Sequence, residues 1–112
     1  MMIDAFLPTL AGSVTIPVGV ASSTTTIPIG TPGQQNPQRS GGEYLELNNT
    51  GTAAIFIEIC TPAQIIAATV AASYPILAGH CKIVRRAEAC TIITAISGSA
   101  GQSLIVSVGN GI

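Results

Sequence analysis

Charge is what this sequence has least of. Only 8% of its 112 residues are Asp, Glu, Lys or Arg, where a globular domain carries about 25%. The formal net charge is −1 at pH 7. Lys82, Arg85 and Arg86 form the one basic cluster, far short of the stripe a nucleic-acid binder uses, so no nucleic-acid partner is expected. Tryptophan is absent, and two Tyr and two Phe make a thin platform for stacking sugars or bases. Apolar runs of about 18 residues are also missing, so no membrane span is expected. Residues 1–8 lack the basic n-region and long apolar core of a secretory signal. The expectation is a chain made and kept in a cytoplasm, or assembled there into something larger.

Reactive chemistry is scarce too. His80 is the single histidine; it excludes a multi-histidine metal site and has no recognised ligand spacing with Cys81. No serine sits in a G-x-S-x-G elbow, and no Gly-rich loop is followed by the Lys of a phosphate cradle. Glu43 and Glu46 are three apart, hence on opposite faces of a strand, a poor start for paired-carboxylate catalysis. No catalytic, cofactor-binding or metal-binding residue is assigned, and no enzymatic activity is expected. The three cysteines, Cys60, Cys81 and Cys90, are odd in number and each lies in or beside a β-branched run. They read as reduced, buried small hydrophobes rather than a disulfide framework.

What the sequence does have is alternation. Val14, Ile16, Val18 and Val20 fall on one face of residues 13–20, and Pro17 there predicts an edge strand or an outward position. Residues 24–29 form a shorter β-like run interrupted by Pro28. In residues 43–48, Leu45 and Leu47 alternate with Tyr44 and Glu46; Asn48-Asn49-Thr50-Gly51-Thr52 is a turn signal. Ile55, Ile57 and Ile59 then share a face, which predicts a hairpin with the preceding run. Residues 80–85 form a strand with Cys81 and Ile83 on one side. The clearest pattern spans residues 89–109: Ile92, Thr94 and Ile96, a Gly/Ser turn, then Leu104, Val106 and Val108. Two β-branched runs around a short turn read as a second hairpin.

Two segments resist this reading. Residues 61–73 alternate Ile66, Ala68, Val70 and Ala72, which favours an extended strand. Thr61, Pro62 and Gln64 look instead like a capping box with proline at the first helical position. Residues 30–42 carry two Pro and four Gly and no core residue, a long loop that reads equally as a disordered surface loop or as an interaction loop. About eight short strands with regular turns predict an all-β fold, an antiparallel β-sandwich or jelly-roll-like single domain. It would comprise an N-terminal arm at 1–11 and a sandwich at 12–112 with the long loop at 30–42.

Several features also resemble small virion-associated structural proteins of tailed bacteriophages. They are Asn48-Asn49-Thr50-Gly51 before an apolar strand, Ala68-Thr69 leading to Tyr74-Pro75-Ile76-Leu77-Ala78-Gly79, the 91–96 strand, and Leu104-Ile105-Val106-Ser107-Val108-Gly109-Asn110-Gly111. The resemblance implies a β-sandwich subunit of a phage particle, such as a capsid decoration (cement) protein, found in the virion and assembled in a host cytoplasm. Its partners would be capsid or other virion proteins. The charge deficit adds a homo-oligomer, since near-neutral surfaces favour association. The apolar arm and the polar loop supply the interface candidates Ile3, Phe6, Leu7, Gln34, Gln35, Asn36 and Arg39, joined by Arg85 and Arg86. Alternatives are a receptor- or glycan-binding module of a tail or fibre, or a neck or tail structural component.

Overall fold

The alternating runs become eight strands in the computed structural model: β1 (Phe6–Val18), β2 (Ser23–Thr26), β3 (Tyr44–Asn49), β4 (Ile55–Cys60), β5 (Tyr74–Ile76), β6 (Cys81–Arg85), β7 (Ile92–Ser97) and β8 (Gln102–Gly111). The structure describes residues 6–28, 44–87 and 89–111, with residues 6–10, 110 and 111 described through the backbone alone. The strands form two four-stranded sheets, ordered β1-β8-β3-β6 and β2-β7-β4-β5, and every strand pair is antiparallel. The pairing is nested: β1 with β8, β2 with β7, β3 with β6, β4 with β5. One long hairpin is thus wound across two facing sheets, which is a jelly-roll arrangement.

The core follows from period-2 alternation. Leu45 and Leu47 of β3, Leu104, Val106 and Val108 of β8, and Ile16 and Val18 of β1 point inward from one sheet. Ile55 and Ile57 of β4, Ile93 and Ala95 of β7 and Ile76 of β5 meet them from the other, joined by Ile27 just past β2. Burying a side chain of this size contributes about 1.5–3 kcal/mol. Proline placement agrees with the strand order: Pro8 and Pro17 lie in β1 and Pro75 in β5, both sheet edges, where a missing N–H costs no ladder bond on the open side. Pro17 faces outward, as its position in the alternation predicts.

Both expected hairpins are corrected. β3 pairs with β6 and β8, while β4 pairs with β5 and β7, so the turn after Asn49 carries the chain from one sheet to the other. The same holds after Ser97, since β7 and β8 belong to different sheets. Alternation fixes the faces of a strand, but a short Gly-containing turn can arch between sheets as readily as it can fold one strand onto its neighbour. Among the described residues, β4 and β5 are the consecutive strands that pair with each other.

Ordered structure also extends into the segment read as an arm. β1 begins at Phe6, and its Phe6, Leu7 and Pro8 pair with Gly111, Asn110 and Gly109. The register shifts between Pro8 and Ser13, and Ala11 within that bulge has φ of 56°, a left-handed conformation rarely adopted outside glycine. The bulge breaks the alternation, which is why the sequence shows no sustained period there. Val20, placed in the first strand by its spacing, lies beyond the strand end and is 65% exposed.

One end of the sandwich is closed by two buried amides. Asn49 Nδ2 donates to the carbonyls of Ala53 (2.9 Å) and Ile76 (2.8 Å), and its Oδ1 accepts from Gly51 N–H. Gln102 Oε1 accepts from the N–H groups of Thr52 (2.7 Å) and Ala53 (2.9 Å). Each buried polar group in this cluster has its partner, the condition under which it stabilises rather than costs.

Candidate functional site

Residues 61–73 are neither helix nor strand. Gln64 N–H does bond Thr61, through both its carbonyl (3.1 Å) and Oγ1 (3.2 Å), so the first turn of the expected cap forms. The chain then lies flat across the outer face of the β2-β7-β4-β5 sheet instead of continuing to coil. Its backbone groups are claimed by that sheet. Thr94 Oγ1 of β7 donates to the Ile66 carbonyl at 2.7 Å, and Ile66 N–H lies 3.5 Å from Cys60 Sγ of β4. Ala68 N–H donates to Ser22 Oγ at 3.0 Å. A second turn follows, with Ser73 N–H on the Thr69 carbonyl and Ser73 Oγ donating to Glu58 Oε2 at 2.7 Å. These bonds replace the helical ladder, which is why the capping signal propagates no further.

The loop therefore covers one face and presents another. Beneath it Cys60, Ala68, Ile92 and Thr94 are buried. In the loop itself Ile65 (49%), Ile66 (46%) and Val70 (49%) stay half exposed, as does Leu77 beyond it, while Tyr74 shares the face of Ile57 and Ile76 on the other side of the sheet. No residue from 59 to 79 carries a charge. The sequence signal for this surface was that charge-free stretch, which the strand-or-helix question obscured.

Next to the loop the sandwich has an open mouth. β5 pairs only with Ile55, Phe56 and Ile57 of β4, so past Ile57 that side of β4 has no strand beside it among the described residues. A groove of about 220 Å³ lies there, lined by Ile57, Glu58, Ile59, Tyr74 and Val84. Its walls are apolar, with Glu58 held by Ser73 at one side.

The interface candidates read from the sequence are not brought together. Ile3, Gln34, Gln35, Asn36 and Arg39 lie outside the described residues. Phe6 and Leu7 are in β1 against β8. Arg85 is exposed at the end of β6, whereas Arg86 is half-buried and its Nη1 donates to the Cys90 carbonyl at 3.0 Å. Burial holds the Arg86 guanidinium below its ordinary value, partly offset by the nearby Cys90 thiol. The cysteines form no disulfide with one another, but the expectation that all are buried is corrected. Cys60 is buried, Cys90 intermediate and Cys81 exposed, because Cys81 and Ile83 face outward from the edge strand β6. His80 is exposed beside them. Among the described residues no three His, Cys, Asp or Glu side chains gather where they could hold a metal ion, and no helix is long and apolar enough to cross a membrane.

No protein-family model matches the chain, and no curated protein matches it. Among solved structures, the crystal structure of PirA shares 17% identity over 87% of this chain and 93% of its own, with a TM-score of 0.49. A likeness this slight transfers neither function nor site to this chain.

Proposed function

We propose that this chain is a non-catalytic structural subunit of a phage-like virion, a decoration or cement protein that packs on the outside of an assembled head. The observation that carries the reading is the half-exposed aliphatic surface at Ile65, Ile66 and Val70 on a chain with 8% charged residues. Exposed aliphatic side chains grouped in one loop of a small, charge-poor domain suit a place where a partner packs. The resemblance of residues 48–111 to virion-associated proteins supplies the kind of partner. Eight-stranded jelly rolls serve viral capsids and lectins alike, so the fold agrees with this role without selecting it.

The mechanism is thermodynamic. Contacts made to the assembled shell and absent from its free subunits stabilise the shell by mass action. The test is to mix the purified protein with undecorated, expanded heads and follow co-sedimentation and the temperature of head disruption. Saturable binding with a raised disruption temperature is expected. Folded protein that leaves the heads unbound and unstabilised overturns the reading. The glycan-binding alternative has less to support it, since Tyr44, Phe56 and Tyr74 sit on one sheet's outer face, the other sheet's outer face and the groove and make no shared platform.

A further inference from the structure

We infer that the groove beside β4 receives the amino terminus of a peptide whose first side chain is apolar. This goes beyond the proposed role and uses none of Ile65, Ile66 and Val70. The backbone shows what is missing there. Pro75 has no N–H, so the β4–β5 pairs that exchange both hydrogen bonds are Ile55 with Ile76 and Ile57 with Tyr74. Two residues on, Ile59 turns its N–H and C=O to the same side, and among the described residues nothing bonds them. Ser73 would continue β5 opposite Glu58, but its N–H bonds the Thr69 carbonyl at 3.2 Å and the chain leaves the sheet. The gap beside Ile59 is thus open toward Cys60 and closed by Ser73 and Tyr74 at its other end.

Three properties of the gap select its occupant. Ile57, Ile59, Tyr74 and Val84 give it apolar walls from both sheets. Its volume of about 220 Å³ is below the roughly 300–1,000 Å³ of sites for drug-sized ligands, so it has room for one side chain. The unpaired N–H and C=O of Ile59 match the backbone of an extended residue, which would exchange both bonds as a paired strand does and send its side chain inward. Charge sets which part of a chain this is. Ser73 blocks passage beyond Glu58, so the occupant must end there. The Glu58 carboxylate accepts from Ser73 Oγ at 2.7 Å and has no ion pair among the described residues. An α-ammonium group brings it three donors and the opposite charge, whereas a terminal carboxylate would be repelled.

The experiment is an NMR titration of the full, isotope-labelled chain with Leu-Ala amide, its N-acetyl form and Gly-Ala amide. Leu-Ala amide should shift the backbone amides of Ile57, Glu58, Ile59 and Val84 with a Kd of about 1 mM, the range open to so small a ligand. Acetylation removes the charge and glycine removes the side chain, and each should weaken binding at least about 10-fold. Glu58→Gln keeps an acceptor for Ser73 Oγ and should weaken Leu-Ala amide by the same factor. The control Glu46→Gln, on the other sheet, should leave it within about 2-fold. No shift of these amides at about 20 mM peptide, equal binding of the acetylated form, or wild-type binding by Glu58→Gln would each overturn the inference. So would groove amides that shift with protein concentration alone, the mark of a second copy in the gap.

Discussion

Asn49 and Gln102 divide one turn between them: the Asn49 side chain takes the N–H of Gly51, and the Gln102 side chain takes those of Thr52 and Ala53. The two residues sit at the end of β3 and the start of β8, 53 positions apart in the chain by their numbers. Their amides turn a local loop into a joint between the two sheets.

Replacing Asn49 by Leu keeps the volume and removes three bonds, those to the Ala53 and Ile76 carbonyls and to Gly51 N–H. A net hydrogen bond contributes about 1 kcal/mol, so a loss of roughly 3 kcal/mol is expected. At roughly 4–8 °C per kcal/mol for a domain near this size, calorimetry should show the midpoint falling by at least about 12 °C.

Gly51 has no room for a methyl group, because an added Cβ would overlap Gln102 Oε1. Gly51→Ala should cost about 1–3 kcal/mol, the range for overpacking. Combined with Gln102→Ala, the loss should be smaller than the two single losses together, since both disturb one contact. Additive urea midpoints for the three variants would show that the two residues are not coupled.

Ala11 occupies a left-handed conformation that costs a non-glycine residue about 1–2 kcal/mol. Ala11→Gly should therefore raise stability, by somewhat less than that because glycine also loosens the unfolded chain. Chemical denaturation at equilibrium checks the sign.

Thr94→Val keeps the shape of a fully buried residue while removing its bond to Ile66. A global cost of about 1 kcal/mol is expected, with faster amide exchange confined to residues 61–73 and unchanged protection in β3 and β8. Uniformly faster exchange would mean that the loop is not pinned at this point.

The thiols should separate by exposure. A neutral thiol reagent added to the folded protein should modify Cys81 first and Cys60 only on unfolding, with mass spectrometry assigning the sites.

The sheets were legible because Leu45, Leu47, Ile55, Ile57, Leu104 and Val106 alternate with polar neighbours, and that period leaves one burial pattern. Pairing partners were not legible. Nothing in the turn residues 50–54 or 98–101 distinguishes a hairpin from an arch, since the distinction depends on which distant strand supplies the second edge. Residues 61–73 failed for a different reason: their alternation and their cap are both real, but Thr94 and Cys60, distant in sequence or in an adjoining strand, capture the backbone of Ile66. The candidate surface was missed with them. Its side chains look like core until the loop is seen to have the sheet on one side and nothing described on the other.

The nested order of strands also dictates how the chain reaches this fold. The β4–β5 pair closes the shortest connection, and each outer pair then requires a larger ring, ending with β1 against β8. Closure entropy grows only slowly with ring size, yet topologies dominated by distant pairings fold in milliseconds to seconds rather than microseconds. Folding should therefore be slow for a chain of this length, and the β4–β5 unit, which frames residues 61–73, is the natural place for it to begin.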